Sequence, residues 1–268
     1  MSAARLDAAE AGLADALAAA RREGRRLSRT DADAWPTDLA GAYRVQHAAA
    51  GALGTVAGWK IAGVTTAQRA TMGVPRPIAA PLLDRWLQTV ERGDVARWPF
   101  AAFAEPRLEC ELAYVLARDL PLRPGRDYDR AEIEAAIGGL AIGIEVIDTR
   151  TPPEAPPLAA LADAFNNAGY VRGPVTADWR SVDPARQTIV LADAEGREVA
   201  RGDGRAILDG DPLGTVVMLA NVQADLPRGL RAGDLVTTGS CTGVFAVGGP
   251  GRWTADFGPL GSIAIAFD

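Results

Sequence analysis

The sequence changes pattern near Gly54, and this change constrains the fold more than any other feature. Before it, residues 3 to 23 carry apolar side chains at helical spacing, and Thr37 or Asp38 can cap a second helix that runs to about Leu53. After it, short apolar runs alternate with glycine and proline turns. We therefore predict an α+β chain, with an N-terminal helical portion (1–54) and a β-rich body (55–268) that form one continuous functional unit.

Seven short segments of the body have the residue types and lengths of β-strands. They span residues 56–62, 107–117, 139–147, 187–192, 197–202, 234–238 and 261–267. Asp193-Ala194-Glu195-Gly196 predicts a hairpin turn between two of them. Helices are expected to begin after Asp129, in a capping-box arrangement with Glu132, and at Asp211-Pro212.

Composition excludes several functional classes. The net charge is −6 and no basic stripe with interleaved aromatic residues occurs, so a general nucleic-acid-binding role is not expected. The two cysteines, Cys110 and Cys241, cannot build a disulfide framework, which fits a reducing compartment. No apolar run approaches the ~20 residues that span a bilayer, and no signal segment is evident. We expect a cytoplasmic protein without a membrane partner.

Lys60 is the single lysine in a chain with 28 basic residues, so the other 27 (28 − 1) are arginines. It lies in the apolar, glycine-flanked segment Gly58-Trp59-Lys60-Ile61-Ala62-Gly63. An ammonium can lose its proton when desolvated and acts as a point charge on a carboxylate, which a guanidinium cannot do equally well. Lys60 is therefore either a chance surface lysine or a functional amine, and the nearby acids favour function.

Two glutamates share one face of the strand predicted at 107–117. Side chains alternate along a strand, so Leu108, Cys110 and Leu112 form an apolar face. Glu109 and Glu111 then lie together on the other face, about 7 Å apart. Such carboxylates repel each other unless a proton or a cation lies between them, and a hard divalent ion accepts oxygens from both. The alternative is a solvated edge strand.

Glu145 is the single acid within the apolar run 140–147. An ionised, unpaired carboxylate there would cost several kcal/mol or be forced to protonate. The alternative partner would be an arginine such as Arg150 or Arg107. Together, Glu109, Glu111 and Glu145 predict a Mg²⁺ or Mn²⁺ site with open positions for water and substrate.

A turn of small residues follows the strand at 234–238 and includes Thr238, Gly239 and Ser240. Its hydroxyls and backbone N–H groups can hold a carboxylate or oxyanion, although a plain tight turn is the commoner explanation. Cys241 is not favoured as a nucleophile because the chain has a single histidine, His47. His47 lies in the second predicted helix, where a packed structural role is favoured.

Six segments resemble the fumarylacetoacetate hydrolase superfamily, in its 2-keto-4-pentenoate hydratase and 4-oxalocrotonate decarboxylase branch. They are G-W-K-I-A-G (58–63), P-R-L-E-C-E-L-A-Y-V-L (106–116), I-E-V-I-D-T-R (144–150), L-A-N (219–221), L-R-A-G-D-L-V-T-T-G-S (230–240) and F-G-P-L-G-S-I (257–263). The resemblance extends over nearly the whole chain. It implies a mixed β-roll or barrel-like body, and a homo-oligomer.

The resemblance also implies roles for individual residues. Glu109, Glu111 and Glu145 would hold Mg²⁺ or Mn²⁺, with Lys60 beside the ion as an acid–base or substrate-carboxylate residue. Thr238, Gly239 and Ser240 would line the pocket. Asn167 would bind substrate.

Two departures from the family pattern concern the substrate. Arg76 lies where the branch often carries an acidic residue, and either binds a second substrate carboxylate or is a loop residue. Asn166 replaces a usual aspartate.

The resulting expectation is a metal-dependent lyase acting on a small 2-oxo or 2-hydroxy acid. It would add water to a 2-hydroxy-2,4-dienoate to give a 4-hydroxy-2-oxo acid in aromatic-compound catabolism. Three alternatives stay open: a 4-oxalocrotonate-type decarboxylase, a C–C bond hydrolase that uses His47, and a non-catalytic partner subunit.

Overall fold

The computed structural model describes residues 6–28, 35–222 and 225–268. The N-terminal portion forms two helices, α1 (Ala8–Glu23) and α2 (Leu39–Leu53). Asp7 caps α1 in a capping box with Glu10, and Asp38 rather than Thr37 caps α2 through the backbone N–H of Gly41. The first residues of the predicted helix at 3 to 23 lie outside the described part of the chain.

Thirteen strands are found in the described residues, and they belong to two sheets. In chain order they are β1 (Val56–Ala62), β2 (Ile78–Leu83), β3 (Leu87–Thr89), β4 (Val95–Trp98), β5 (Arg107–Leu116), β6 (Ile137–Ile147), β7 (Asn167–Thr176), β8 (Thr188–Ala192), β9 (Glu198–Asp203), β10 (Leu235–Ser240), β11 (Phe245–Ala246), β12 (Gly251–Asp256) and β13 (Ser262–Phe267). The larger sheet has the order β2-β1-β10-β5-β6-β7-β3, with β11 paired to β5, and the smaller sheet has the order β4-β13-β12-β8-β9.

Both sheets are mixed. In the larger sheet β1 runs parallel to β10 and β3 parallel to β7, whereas β5, β6 and β7 form an antiparallel centre. Four further helices connect the strands: α3 (Thr66–Met72), α4 (Arg130–Ala136), α5 (Pro157–Ala162) and α6 (Pro212–Asn221). The α+β prediction with a β-roll-like body is confirmed.

The main core lies between the two sheets. Leu112 on β5 and Ile142 on β6 belong to the same buried apolar cluster as Leu191 on β8 and Ile265 on β13. This is the face of β5 that alternation predicted to be apolar. The opposite face of β5 therefore carries Glu109 and Glu111 away from this core.

Several strands escaped prediction because their sequences contain residues that are rare in strands. Pro81 interrupts β2, which the sheet tolerates because β2 is an edge strand paired to β1 alone in the described residues. β7 contains Gly169, Gly173 and Pro174. β12 begins at Gly251 and also lacks a strong strand signal. None of the helices in the described residues has the length and apolar character of a membrane span.

Candidate active site

The register of β5 against β6 brings three carboxylates together. Glu109 lies opposite Glu145, and Glu111 lies opposite Gly143. One carboxylate oxygen from each of Glu109, Glu111 and Glu145 lies within 4.8 Å of the others. Glu145 and Glu111 are buried, at 0% and 1% exposure, and β5 lies inside the sheet between β10 and β6. The alternative of a solvated edge strand is wrong.

Gly143 leaves room for the side chain of Tyr170 beside the acid cluster. A Cβ atom there would lie 2.0 Å from the hydroxyl oxygen of Tyr170 on the neighbouring strand β7. A larger side chain at 143 would therefore displace the tyrosine ring next to Glu111.

Lys60 is the buried partner of Glu145. Its Nζ donates to both carboxylate oxygens of Glu145, at 2.7 and 2.8 Å, and the residue is only 5% exposed. The alternative of a chance surface lysine is therefore wrong. Arg150, one of the arginines considered for Glu145, instead pairs with Asp163 at 2.7 Å between Nε and Oδ1.

The site holds more acid than base. Three ionised carboxylates and one ammonium would leave an excess of two negative charges in a largely buried place. Burial, followed by repulsion from Glu145, raises the pKa of Glu109 to about 7. The same causes, with Glu109 added, raise the pKa of Glu111 well above its ordinary value.

The donor set fits a divalent cation. Oε2 of Glu111 is buried without a hydrogen-bond partner in the described residues. The hydroxyl oxygens of Tyr170 on β7 and Thr237 on β10, in the same sheet, are also buried without a partner there. Carboxylate oxygens are the ligands that Mg²⁺ and Mn²⁺ prefer. A doubly charged ion would offset the excess charge and satisfy the free oxygen of Glu111.

Lys60 stays protonated in this environment. Burial alone would lower the pKa of Lys60, but the charges of Glu145, Glu109 and Glu111 outweigh burial and raise it above its ordinary value. The three carboxylates thus hold the amine as an ammonium.

A second layer of polar contacts supports Glu145 from behind. The side-chain amide of Asn167, a buried residue at the start of β7, donates to Oε1 of Glu145 at 2.8 Å. The Nη2 atom of Arg21 on α1 donates in turn to Oδ1 of Asn167 at 3.3 Å. Arg21 is buried with its guanidinium 4.5 Å from the ring centre of Trp86. The N-terminal helix is thereby linked to the acid cluster.

A cavity of about 290 Å³ opens onto Lys60, Glu109 and Glu111. The structure places Thr238, Gly239 and Ser240 in its wall. The hydroxyl of Thr238 donates to the carbonyl oxygen of Leu112 at 2.8 Å, and that of Ser240 donates to the carbonyl oxygen of Gly243 at 3.0 Å. Both hydroxyls are thus engaged with the backbone.

Two of the predicted substrate-binding residues lie elsewhere. Arg76 does not line the cavity, because its guanidinium forms an ion pair with Asp225, with Nε 3.0 Å from Oδ2. In this structure Arg76 thus contacts Asp225 and not the cavity, and its binding of a substrate carboxylate stays a prediction. Asn167 contacts Glu145 behind the cavity rather than lining it.

The two residues considered for nucleophilic or base chemistry are also outside the cavity lining. His47 packs on α2 against the ring of Tyr43, with ring centres 5.7 Å apart, and burial lowers its pKa. Cys241 is buried, and burial raises the pKa of its thiol far above the ordinary value. Neither has the setting of a catalytic group.

Phe165 is a site residue that sequence reasoning missed. Its ring centre lies 5.4 Å from Nζ of Lys60, and it lines the cavity. Ala164, Phe165 and Asn166 all have positive φ, at 50°, 48° and 61°, a conformation that costs about 1–2 kcal/mol per non-glycine residue. The turn is held by Asp163, whose carbonyl oxygen accepts from the N–H of Asn166 at 2.9 Å. Asn166 is a residue type that tolerates this conformation, but Ala164 and Phe165 are not, so the local sequence gives only a weak signal of the turn.

Several known proteins are similar to this chain in sequence. No family model matches the chain. A 2-keto-4-pentenoate hydratase from Burkholderia vietnamiensis is 31% identical over 213 residues, which cover 79% of this chain and 78% of the relative. A 4-oxalocrotonate decarboxylase from Pseudomonas putida is 30% identical over 213 residues, covering 79% and 77%.

Solved structures agree with these relatives. The structure of a 4-oxalocrotonate decarboxylase from Pseudomonas putida G7, complexed with magnesium and adipate, superposes with a TM-score of 0.82 at 26% identity and covers 97% of both chains. A fumarylpyruvate hydrolase from Pseudomonas aeruginosa shares the fold at a TM-score of 0.54. This chain therefore belongs to the 2-keto-4-pentenoate hydratase and 4-oxalocrotonate decarboxylase family of the fumarylacetoacetate hydrolase superfamily, and it is an enzyme of the lyase type.

Proposed function

We propose that this enzyme is a hydratase that depends on a divalent metal and adds water to a 2-hydroxy-2,4-dienoate. The product would be a 4-hydroxy-2-oxo acid, formed in the catabolism of aromatic compounds. One observation carries the proposal: the ammonium of Lys60 lines one cavity together with Glu109 and Glu111, and Glu145 lies directly behind them, 2.7 Å from Lys60 Nζ and within 4.8 Å of the other two carboxylates. The curated hydratases of similar sequence support it.

Glu109, Glu111 and Glu145 would hold the ion, and Mg²⁺ or Mn²⁺ suits their oxygens. When bound, the ion would act as a Lewis acid toward the oxygens of the substrate carboxyl end. Asn167 and Lys60 hold the carboxylate of Glu145 in a fixed orientation, so that this carboxylate would not have to be ordered when the ion binds.

Lys60 would carry the proton in the tautomerisation that precedes hydration. The enol proton leaves the 2-hydroxyl group and a proton is added at C5, which gives a 2-oxo-3-enoate. Water then adds its oxygen at C4 while a proton is added at C3. General acid–base catalysis of this kind works best with a group whose pKa is close to the working pH. The three glutamates raise the pKa of Lys60 above its ordinary value, and a cation held by the same carboxylates would lower it again.

A second candidate function is decarboxylation of 4-oxalocrotonate. The similarity to the decarboxylase complexed with magnesium and adipate, at a TM-score of 0.82, favours it. The interactions proposed for the carboxyl end of the substrate would also stabilise the electron pair that remains when CO₂ leaves. The C–C bond hydrolase alternative has no support from His47, which does not line the cavity.

The test is hydration of 2-hydroxypenta-2,4-dienoate, followed by loss of ultraviolet absorbance. We expect turnover with Mg²⁺ or Mn²⁺, loss of turnover with a chelator, and recovery when the ion is restored. CO₂ release from 4-oxalocrotonate is measured in parallel. Hydration that survives both the chelator and Lys60→Ala would contradict the proposal, and inactivity of the purified metal-bound chain toward both acids would indicate a partner-subunit role.

We also propose that the chain acts as a homo-oligomer in the cytoplasm. Two unpaired cysteines, both buried, are compatible with a reducing compartment. Light scattering coupled to size-exclusion chromatography measures the subunit number directly.

A further inference from the structure

A second cavity lies beside the catalytic one and is almost entirely apolar. Its volume is about 220 Å³, and its lining includes Val74, Ile78, Ala160 and Leu161. Asn166 is the polar member of the described lining. An apolar cavity next to a site for a small acid requires an explanation. Water finds few hydrogen-bond partners in such a cavity, which therefore suits a hydrocarbon group.

Two side chains form the partition between the cavities. Phe165 and Met72 line both of them. Since the ring of Phe165 also lies 5.4 Å from Nζ of Lys60, the apolar cavity begins one side chain away from the catalytic amine. A ligand that extends from Lys60 past this ring would enter the apolar cavity.

The partition is built from parts that can move. Met72 has a flexible, unbranched side chain and ends α3, a helix that has no buried residue. Gly63 and Gly73, on either side of α3, have positive φ values of 68° and 66°. A helix with so little buried surface can shift at low cost.

We propose that the apolar cavity is a subsite for a hydrocarbon substituent at the end of the substrate remote from its carboxylate. This inference rests on the proposed function, because the carboxyl end is assigned to the acid cluster and Lys60. The other end of the acid would then face Phe165 and Met72. Each methylene group that extends past them into the apolar cavity would be removed from water, which is favourable.

The subsite also selects against a second carboxylate. An ionised carboxylate in apolar surroundings is costly unless it is paired. Arg76, the cation considered for such a group, is already paired with Asp225 at 3.0 Å. The substrate class is therefore a monoacid with an alkyl tail, rather than a diacid.

The experiment measures binding, so that it does not depend on turnover. Saturated straight-chain acids from 2-oxopentanoate to 2-oxooctanoate, and the diacid 2-oxohexanedioate, are titrated into the Mg²⁺-loaded protein by calorimetry. We expect affinity to rise about fourfold per added methylene, from the transfer free energy of a buried methylene. The diacid should bind more weakly than 2-oxohexanoate.

A cavity-filling variant tests the location. Ala160 lines the apolar cavity but not the catalytic cavity. Ala160→Phe should therefore remove the rise of affinity with chain length and leave the affinity for 2-oxopentanoate unchanged. Ala131, an exposed alanine on α4 that lines neither cavity, supplies the matched control Ala131→Phe, which should keep the full series. Ala160→Leu repeats the test with a smaller side chain if the phenylalanine variant does not unfold cooperatively.

The outcomes separate this inference from the proposed function. An affinity that does not change with chain length in the native protein overturns the subsite, even if the dienoate is hydrated. A rise of affinity with chain length that persists in both Ala160 variants overturns it as well. A steep series that Ala160→Phe abolishes supports the subsite even if hydration is absent. A flat series together with a change of subunit number in Ala160→Phe would mean that another copy of the chain covers this cavity, which also overturns the proposal.

Discussion

Lys60 places an ammonium against both oxygens of Glu145 in a site that already carries excess acid. The amine therefore has two effects that can be separated experimentally. It offsets negative charge, which an arginine could also do, and it can exchange a proton, which an arginine cannot do near neutral pH.

Lys60→Arg is expected to preserve the charge and lose the proton transfer. Hydration of the dienoate should fall about 10²- to 10⁴-fold, the usual contribution of a positioned acid–base group. Mg²⁺ affinity, measured by calorimetry, should change far less than the rate. A variant that keeps its rate would show that charge alone accounts for the role of Lys60.

Glu111→Gln is expected to stabilise the metal-free protein increasingly as pH rises. A carboxyl whose pKa is raised on folding contributes stability that is greatest below its unfolded pKa and is lost as pH rises toward the folded pKa. For Glu109 this window runs from 4.5 to about 7, and for Glu111 it begins at the same value and extends upward. The variant removes the penalty at Glu111 and also one of the proposed ligands of the ion.

The measurement is the free energy of unfolding in denaturant, with a chelator present, at several pH values. The stability of Glu111→Gln relative to the native protein should grow through the window, whereas its response to added Mg²⁺ should be lost. Glu91→Gln, at an exposed position, serves as the control. A difference between Glu111→Gln and the native protein that stays constant with pH would contradict the raised pKa of Glu111.

At the scale of elements, helix α1 is a part of the site although it contributes no residue to the cavity lining. Its residue Arg21 contacts Asn167, and Asn167 contacts Glu145. Arg22, the next residue, instead points outward and donates to the carbonyl oxygen of Ala52 at 2.6 Å. Neighbouring arginines on one helix thus make different contacts.

Arg21→Ala should weaken metal binding by up to about 10-fold. This is the low end of the effect of removing a group that hydrogen-bonds a metal ligand, because Arg21 acts on the proposed ligand Glu145 only through Asn167. Arg22→Ala should leave metal affinity unchanged. Titration calorimetry with Mg²⁺ measures both, and Arg21→Gln, which keeps a hydrogen-bond donor, should restore part of the loss. Equal metal affinity in all of these variants would indicate that α1 only packs against the body.

At the scale of the whole molecule, the helical portion and the β-rich body share their apolar contacts. Ala18, Ala50 and Leu53 pack with Leu83 of β2, and Ala42 and Tyr43 pack with Ile78 and Leu161. These contacts join residues before position 54 to residues after it. They support the prediction that 1–54 and 55–268 form one functional unit.

A fragment containing residues 55–268 is accordingly expected not to fold into a metal-binding form. It would expose the apolar surface that α1 and α2 cover and would lose Arg21. Circular dichroism with thermal unfolding, compared with the full chain, tests this. A cooperative transition that Mg²⁺ shifts upward in the fragment would show that the body is an independent domain.

Local pattern was enough to predict much of this architecture. Alternation along β5 placed Glu109 and Glu111 on one face and the apolar side chains on the other, because side-chain direction in a strand has a period of two. Capping residues fixed where α2 and α4 begin. The apolar run around Glu145 also indicated that its carboxylate needed a buried partner.

The tertiary structure decided which groups meet. The register of β5 with β6 brought Glu109 opposite Glu145, and β1 brought Lys60 rather than an arginine to that carboxylate. Pairing with Asp225 removed Arg76 from the cavity, and a left-handed turn brought Phe165 into it. Such encounters join residues far apart in the chain. They depend on strand register and on backbone conformations that distant contacts stabilise, so local sequence does not encode them.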